Sequence, residues 1–149
     1  MTSRDTSAVS ILSECGLSPF DVRNIIMVIR SFSIRVSGKS GDLPKEINWD
    51  ILRDELGRNE DMTEYTSCTN RIRRVARFDA DVVVRSILCN RPNRIVLNHL
   101  DYVDKGVQNK RVISERCEEF ISAIEAQIGQ KITCFGTGPD TLFSRQEIK

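Results

Sequence analysis

The chain has 149 residues, of which 40% are hydrophobic and 29% are charged, so it is long enough to form one domain with a sizeable core. The formal net charge is only +1, and the overall charge therefore gives no reason to expect nucleic acid or a membrane surface as a partner. No apolar run approaches the roughly 20 residues that cross a bilayer, and the polar N-terminal residues lack the apolar core of a signal peptide.

The first half of the chain predicts short elements separated by polar loops. Residues 2–10 are rich in Ser and Thr, and we expect a loop there. Ser18 precedes a proline and predicts the start of a short helix, because Ser is a favoured N-cap and Pro a favoured first helical residue. Apolar and β-branched residues between positions 25 and 36 predict a strand in the later part of that segment. We expect a loop at 37–42 and a short helix at 48–56.

The second half predicts longer elements that alternate between helix and strand. Asp79 is a suitable N-cap for a helix over 79–89, and Arg94 begins a short predicted strand that ends at position 97. Apolar residues at helical spacing predict a helix over 114–128, which Gly129 ends. We expect a strand at 131–135 and a turn at 136–139. This alternation is typical of an α/β fold, here in a single domain over residues 1–149.

Cysteine and histidine usage limits the chemistry that the chain can perform. The five cysteines are scattered and form no Cys-x-x-Cys pair, which predicts reduced thiols in a cytoplasmic protein, without a disulfide framework or a zinc site. His99 is the single histidine, so a histidine-cluster metal site is excluded.

The most informative segment contains four arginines within seven residues, namely Arg71, Arg73, Arg74 and Arg77. They follow the polar segment 63–69. Each guanidinium group offers a planar fork of donors that matches a carboxylate or a phosphate at two points. The pattern predicts a flexible loop that closes on an anion, although a solvated basic turn gives the same pattern.

Two further segments stand directly after predicted strands. Asp101 follows the strand that begins at Arg94, and a carboxylate at the C-terminal end of a strand is well placed to meet a ligand in an open α/β sheet. Such a carboxylate accepts two N–H bonds from the edge of guanine. Gly136 and Gly138 follow the next predicted strand and would let a ligand approach the backbone closely. For both segments, a simple structural turn remains the alternative.

Taken in order, these segments resemble the adenylosuccinate synthetase family over nearly the whole chain. The similar segments are Thr2-Ser3, Gly16-Leu17-Ser18-Pro19, Arg35-Val36-Ser37-Gly38, the arginine segment from Thr69 to Asp79, Asn98-His99-Leu100-Asp101 and Thr137-Gly138-Pro139-Asp140. Two of these segments, Arg-Val-Ser-Gly-Lys-Ser-Gly at 35–41 and Leu-Asn-His-Leu-Asp-Tyr at 97–102, look closest to an archaeal and bacteriophage branch. That branch includes a phage enzyme that makes 2-aminoadenylosuccinate from dGMP.

The resemblance implies the C-terminal part of a homodimeric ligase, with a mixed sheet and flanking helices. The family joins aspartate to IMP while GTP is hydrolysed with Mg²⁺. The resemblance implies that Thr2 meets the monophosphate, that the backbone of Val36 lies beside the ribose, and that the aspartate carboxylates and ribose oxygens are held by Thr69, Arg71 and Arg73. The implied contacts of the triphosphate base are His99, Asp101, Gly136, Thr137 and Gly138, the last three largely through the backbone.

Several departures from the family pattern restrict what the resemblance implies. Asn70 replaces a glycine before the first loop arginine, and Asn tolerates left-handed backbone better than most residues. His99 replaces a lysine, which leaves open whether GTP or ATP is the phosphoryl donor. The sequence also leaves open whether IMP or dGMP is the substrate. The family's phosphate loop, catalytic Asp and catalytic His would precede Met1, so we expect no catalytic residue and no Mg²⁺ ligand within these 149 residues.

Two interpretations of the function therefore remain. The chain is either the C-terminal portion of a purine-biosynthetic ligase, truncated or working with a separate N-terminal half, or a non-catalytic purine-nucleotide-binding protein or remnant. Neither interpretation includes a nucleic acid or a membrane as a partner.

Overall fold

The computed structural model describes residues 7–148, which form two β-sheets and five α-helices. The helices are α1 (Ala8–Cys15), α2 (Trp49–Leu56), α3 (Ala80–Asn90), α4 (Leu100–Val103) and α5 (Glu115–Ile128). The strands are β1 (Ile26–Arg30), β2 (Ser33–Arg35), β3 (Glu46–Ile47), β4 (Arg74–Ala76), β5 (Arg94–Asn98), β6 (Cys134–Gly138) and β7 (Thr141–Ser144). Short 3₁₀ turns cover Pro19–Asp21, Lys105–Val107 and Arg145–Glu147. None of the helices described is long and apolar enough to cross a membrane.

The larger sheet has the strand order β1-β5-β6-β7. β5 pairs in parallel with β1 and with β6, whereas β6 and β7 pair in antiparallel fashion. Ile95, Leu97 and Phe135 are buried where this sheet meets the helices, together with Ile121 and Ile124 of α5. The mixed sheet with flanking helices confirms the predicted α/β fold.

One edge of the larger sheet carries apolar side chains in contact with solvent. No strand among residues 7–148 pairs with the outer edge of β1, where Ile26 is 54% exposed and Val28 is 60% exposed. An adjoining groove of about 620 Å³ is lined by β1 and by residues of α1 and α3, including Ile11 and Val82. Proteins normally cover or charge a sheet edge of this kind, because unpaired backbone groups beside apolar side chains promote association.

The smaller sheet has the order β2-β4-β3, with both pairs antiparallel. Its central strand, β4, buries Val75 and Ala76. The indole nitrogen of Trp49 in α2 donates to the carbonyl oxygen of Arg73 at 2.7 Å. This hydrogen bond fixes the start of β4 against α2, and with it the end of the preceding arginine loop.

Most helices begin and end where the sequence predicts. The side chains of Ser18, Asn48, Asp79 and Ser114 each accept a hydrogen bond from the first turn that follows them. Gly129 ends α5 in the left-handed conformation. β2 lies where the strand in the later part of 25–36 was predicted, whereas β1, separated from it by the buried Ser31 and Phe32, was not predicted.

Other predicted elements were wrong. The loop predicted for residues 2–10 gives way to α1, which begins at Ala8 after the N-cap Ser7; positions 1–6 lie outside the described residues. The strand predicted at 131–135 begins only at Cys134 and continues to Gly138, so the turn predicted at 136–139 is mostly strand. The chain reverses at Pro139 and Asp140 instead, because pairing with β7 extends β6 beyond its apolar residues. The sequence pattern also did not predict β4, because this strand has only three residues and begins with Arg74 inside a charged segment.

Candidate functional site

The polar segment before the arginines folds into a closed turn over residues 66–73, the arginine turn. The backbone N–H of Thr66 donates to the carbonyl of Arg71 at 2.9 Å, and that of Asn70 donates to the carbonyl of Thr66 at 3.0 Å. The Thr66 hydroxyl lies 2.6 Å from the Thr69 hydroxyl and accepts from the backbone of Arg71 at 3.1 Å. Asn70 has φ of +48°, so this position uses the left-handed backbone that we expected Asn to tolerate.

This turn forms one wall of a cavity of about 600 Å³. Val36 and Ser37, which follow β2, form part of the opposite wall. The turn contributes Thr66, Ser67, Cys68, Thr69, Arg71 and Arg73. Four of the five predicted substrate residues, Val36, Thr69, Arg71 and Arg73, therefore line a single cavity. The fifth, Thr2, lies outside the described residues.

The four arginines of the sequence segment do not act as one group. Arg71 is exposed and forms no ion pair with any of residues 7–148, and Arg73 donates from Nε to the carbonyl of Tyr65 at 3.2 Å. Arg77 instead forms a two-point ion pair with Glu55 outside the cavity. Of the four arginines, only Arg71 and Arg73 line the cavity, and these are the two that the family resemblance implies as substrate contacts.

Arg74 does not line the cavity but holds the loop that follows β2. It forms a two-point ion pair with Glu46, with 2.8 Å between Nε and Oε1, and these bonds lower the pKa of the Glu46 carboxyl. It also donates to the carbonyl of Gly41 at 2.8 Å and to the hydroxyl of Ser40 at 3.2 Å. Arg35 donates to the carbonyl of Ser40 as well. The two arginines thus hold the loop from which Val36 and Ser37 face the cavity.

The second predicted site begins where β5 ends. His99 has φ of +66° and turns the chain from β5 into α4. Its ring is half-buried and meets the ring of Tyr102 edge-on, with 5.2 Å between centroids. Burial lowers the pKa of the imidazole, and the positive charge of Arg30 lowers it further. His99 is therefore a neutral ring at pH 7, in contrast to the charged lysine that it replaces in the family pattern.

Asp101 carries the clearest sign of a missing partner. Its Oδ1 is buried and accepts no hydrogen bond from any described residue. Burial raises the pKa of this carboxyl, an effect only partly offset by its own backbone N–H and by Arg58. An unpaired buried carboxylate oxygen costs free energy unless a ligand or water donates to it. Asp101 also lines a small recess of about 70 Å³ with Arg58, Tyr102 and Lys105.

The predicted glycine motif lies beside this turn, because α4 packs against β6. A methyl group at Gly136 would collide with the side chain of Asn98, and one at Gly138 would collide with that of Asn109. Thr137 is fully buried, and its hydroxyl donates to the carbonyl of Lys110 at 2.6 Å. A larger residue at either position would therefore displace an asparagine side chain that packs against the glycine.

Sequence reasoning missed Glu64, which lies between the two predicted sites. It accepts a hydrogen bond from the hydroxyl of Tyr102 at 2.8 Å and pairs with Arg30. Glu64 stands in a polar segment with several other carboxylates, and no sequence pattern distinguishes it from them. Among the described residues, no group of three or more His, Cys, Asp or Glu side chains lies close enough to hold a metal ion.

Replacing Asp101 with Asn is expected to raise the free energy of unfolding at pH 7. Burial raises the carboxyl pKa of the folded protein above the unfolded value of about 3.9. The native carboxyl therefore contributes its full stability only when protonated, and that stability is lost as the pH rises through the folded pKa. The difference between variant and native protein should be absent below about pH 4 and grow toward pH 7. Urea denaturation across this pH range measures it.

Asp61→Asn is the matched control, with the opposite sign. The exposed Asp61 carboxylate accepts hydrogen bonds from Thr63, which lower its pKa, so Asp61→Asn should lose stability at neutral pH. An Asp101→Asn variant that is less stable than the native protein at pH 7 would show that the unpaired carboxylate is not a cost to the fold.

The proteins of similar sequence carry the name of one enzyme. The adenylosuccinate synthetase of Methanocaldococcus jannaschii is 34% identical over 154 residues, covering 99% of this chain and 43% of that protein. The enzyme of Thermococcus sibiricus is 32% identical over 143 residues, covering 94% of this chain and 40% of that protein. The chain thus spans about two fifths of the length of the curated relatives it matches.

Solved structures agree with the sequence relatives. Cyanophage S-2L succinoaminodeoxyadenylate synthetase, bound to dGMP and to dATP as an energy donor, matches with a TM-score of 0.69 and 26% identity, over 96% of this chain and 40% of that one. Adenylosuccinate synthetase from Plasmodium falciparum shares the fold, with a TM-score of 0.77 and 19% identity, over 97% of this chain and 45% of that one.

The family model described as adenylosuccinate synthetase matches residues 1–112, a stretch that contains the arginine turn, β5 and Asp101. Together with the archaeal relatives, this match shows that the chain belongs to the adenylosuccinate synthetase family, the ligases of purine biosynthesis.

Proposed function

We propose that this chain supplies the substrate and base contacts of a cytoplasmic ligase that joins aspartate to a purine nucleotide, with hydrolysis of a nucleoside triphosphate. The observation that carries the proposal is the cavity that Val36, Thr69, Arg71 and Arg73 line together. Its volume of about 600 Å³ lies within the usual range for small-molecule sites.

The cavity is suited to an anionic substrate. Arg71 has no ion-pair partner among the described residues, so its guanidinium group is available to a carboxylate or a phosphate. Arg73 lines the same space, and Thr69 and Ser37 add hydroxyl groups. Charge-assisted two-point bonds from arginine are the strong means of holding a carboxylate. We propose that the aspartate carboxylates bind here, beside the ribose of the purine monophosphate.

Asp101 would bind the base of the triphosphate. Its buried, unpaired Oδ1 needs a donor, and the edge of a purine base presents N–H donors. Guanine offers two such donors to a carboxylate and adenine offers one. The neutral His99 ring replaces the lysine stem of the family pattern, and the cyanophage relative was solved with dATP as an energy donor. These two facts support a pocket that has lost strict guanine selectivity.

A complete ligase requires more than these contacts. The chain spans about two fifths of the length of its relatives. We propose that the phosphate loop, the catalytic groups and the Mg²⁺ ligands belong to a further part of the enzyme. The exposed apolar edge of β1 is the surface on which that part would add to the sheet.

Arg71→Ala and Arg73→Ala are expected to weaken binding of aspartate or of the monophosphate by about 1.5–3 kcal/mol each, the usual worth of a hydrogen bond to a charged group. Isothermal titration calorimetry with IMP, dGMP and aspartate measures the loss. Arg77→Ala is the matched control, because Arg77 belongs to the same segment but pairs with Glu55 outside the cavity. Equal losses in all three variants would indicate diffuse positive charge in place of a built site.

Base selectivity tests the role of Asp101. We expect the chain to prefer GTP over ATP by less than about a hundredfold, or 2.7 kcal/mol. Asp101→Ala should weaken GTP binding by about 1–3 kcal/mol and weaken ATP and dATP binding less, because adenine loses one bond fewer. Titration of the three nucleotides against native chain and variant gives both quantities. A hundredfold preference of the native chain for GTP would show that the His99 pocket kept its guanine selectivity.

The ligase activity itself should depend on the complementary part. The isolated chain should form no product from IMP or dGMP with aspartate, Mg²⁺ and GTP or ATP. Adding the complementary N-terminal part from the same genome should restore product formation. Val28→Asp, at the β1 edge, should block that restoration, whereas Leu142→Asp, at a similarly exposed position on β7 at the opposite edge, should not.

Two outcomes would contradict this assignment. Product formation by the isolated chain would show that it is a complete catalyst. Nucleotide binding that persists while no complementary part restores activity would favour a non-catalytic purine-nucleotide-binding protein.

A further inference from the structure

The carboxylate of Glu64 joins three elements that lie far apart in the sequence. Its Oε1 accepts the hydroxyl hydrogen of Tyr102 at 2.8 Å and also pairs with the guanidinium group of Arg30. Its Oε2 lies 3.9 Å from Nε of Arg73. Arg30 ends β1, Tyr102 lies in α4, and Arg73 closes the arginine turn.

These contacts are stronger than an ordinary surface ion pair. The side chains of Glu64, Arg30 and Arg73 are only 21%, 26% and 28% exposed. Partial burial reduces the solvent screening that makes exposed pairs nearly worthless. The backbone adds to the connection, because the N–H of Arg73 donates to the carbonyl oxygen of Glu64 at 2.8 Å. Glu64 is therefore held beside Arg73 by a backbone hydrogen bond, with a longer ion pair of 3.9 Å between the side chains.

Tyr102 carries the connection into the base turn, residues 98–102, where the chain leaves β5 and enters α4. Its ring lies edge-on against His99, and Tyr102 lines the same recess as Asp101. Arg58 donates to the backbone carbonyls of both Asp101 and Tyr102, which ties these two residues together. A displacement of the Tyr102 hydroxyl would thus be felt by both predicted base contacts, His99 and Asp101.

The arginine cavity and the base turn are otherwise separate. The cavity is lined by residues that follow β2 and by the 66–73 segment, whereas the base turn is built on the end of β5. None of residues 7–148 lines both the cavity of Arg71 and Arg73 and the recess of Asp101. Glu64 is the side chain that bonds to both a cavity residue and a base-turn residue.

We propose that Glu64 is a positioning residue that couples the two binding sites, an inference that rests on the function proposed above. A ligand bound through Arg73 fixes the arginine, and with it Glu64 and Tyr102. The second ligand then meets a base turn that is already ordered, and the ordering entropy is spent once for both. Binding at the two sites should therefore be cooperative, with each ligand raising the affinity of the other by the same factor.

Calorimetry of the isolated chain tests the coupling. L-aspartate is titrated with and without saturating GTP, and GTP with and without saturating aspartate. For the native chain we expect the affinity of each ligand to rise at least about fivefold in the presence of the other. The informative readout is the affinity of one ligand in the presence of the other divided by its affinity alone. A merely structural role of Glu64 would weaken binding in both conditions and leave this ratio unchanged.

Two variants break the connection at different bonds. Glu64→Gln keeps the shape of the side chain and an acceptor for Tyr102 but removes the charge that holds Arg30 and Arg73. Tyr102→Phe removes only the hydroxyl and keeps the ring beside His99. Both should bring the ratio close to one. Glu55→Gln is the matched control, since it makes the same change in an ion pair with Arg77 that touches neither site.

Each other outcome has a distinct meaning. A native chain that binds both ligands with a ratio of one, or variants that keep the native ratio, would overturn the coupling. A chain that binds neither ligand would contradict the proposed function instead, and the connection would then be decided by hydrogen exchange without ligand. Tyr102→Phe should speed amide exchange in residues 62–73, and Glu64→Gln should speed it in residues 99–103. Exchange that changes only around the mutated residue would overturn the inference.

Discussion

The central position of β5 is the constraint on which the rest of the structure depends. It pairs with β1 on one side and β6 on the other: Asn98, its last residue, pairs with Arg30 of β1, and Val96 and Leu97 just before it pair with β6. The hydroxyl of Ser31 donates to the carbonyls of Asn98 and His99, at 2.8 and 3.0 Å. Gly136 leaves room for the Asn98 side chain. These contacts set where the chain leaves the sheet, and so where His99 and Asp101 lie.

The smaller sheet has a corresponding role for the arginines. Alternation along β4 buries Val75 and leaves Arg74 on the opposite side, where Glu46 pairs with it. Neighbouring residues of a strand point to opposite faces, so the side chains of the consecutive Arg73 and Arg74 point in different directions. One supports a cavity wall, and Arg73, just before the strand, lines the cavity. A run of like charges has thereby become a set of residues with different tasks.

Asp101 is the polar group that costs free energy in the unliganded protein. The Glu64 carboxylate is paired with Arg30 and Tyr102, whereas Oδ1 of Asp101 is buried and accepts no hydrogen bond from any described residue. Such an unpaired group is destabilising unless a ligand or water donates to it. The exposed Val28 on β1 belongs to the same category, since it stabilises the fold only when another strand or chain covers it.

The sequence by itself determined the boundaries of α2, α3 and α5, the α/β class and the family, and its motifs selected four residues of one cavity, because capping residues, helical periodicity and short motifs act over a few positions. Tertiary structure alone decided that β6 extends through Gly136 to Gly138, since the pairing partner, β7, lies beyond the motif. It also placed Arg71 and Arg73 in the wall of a cavity and paired Arg74 with Glu46 and Arg77 with Glu55, and it joined Glu64 to Tyr102 across 38 positions. Ion pairs between distant residues carry no local signal in the sequence, because any of its many carboxylates satisfies the same charge. Only the folded backbone selects which two groups come within hydrogen-bonding distance.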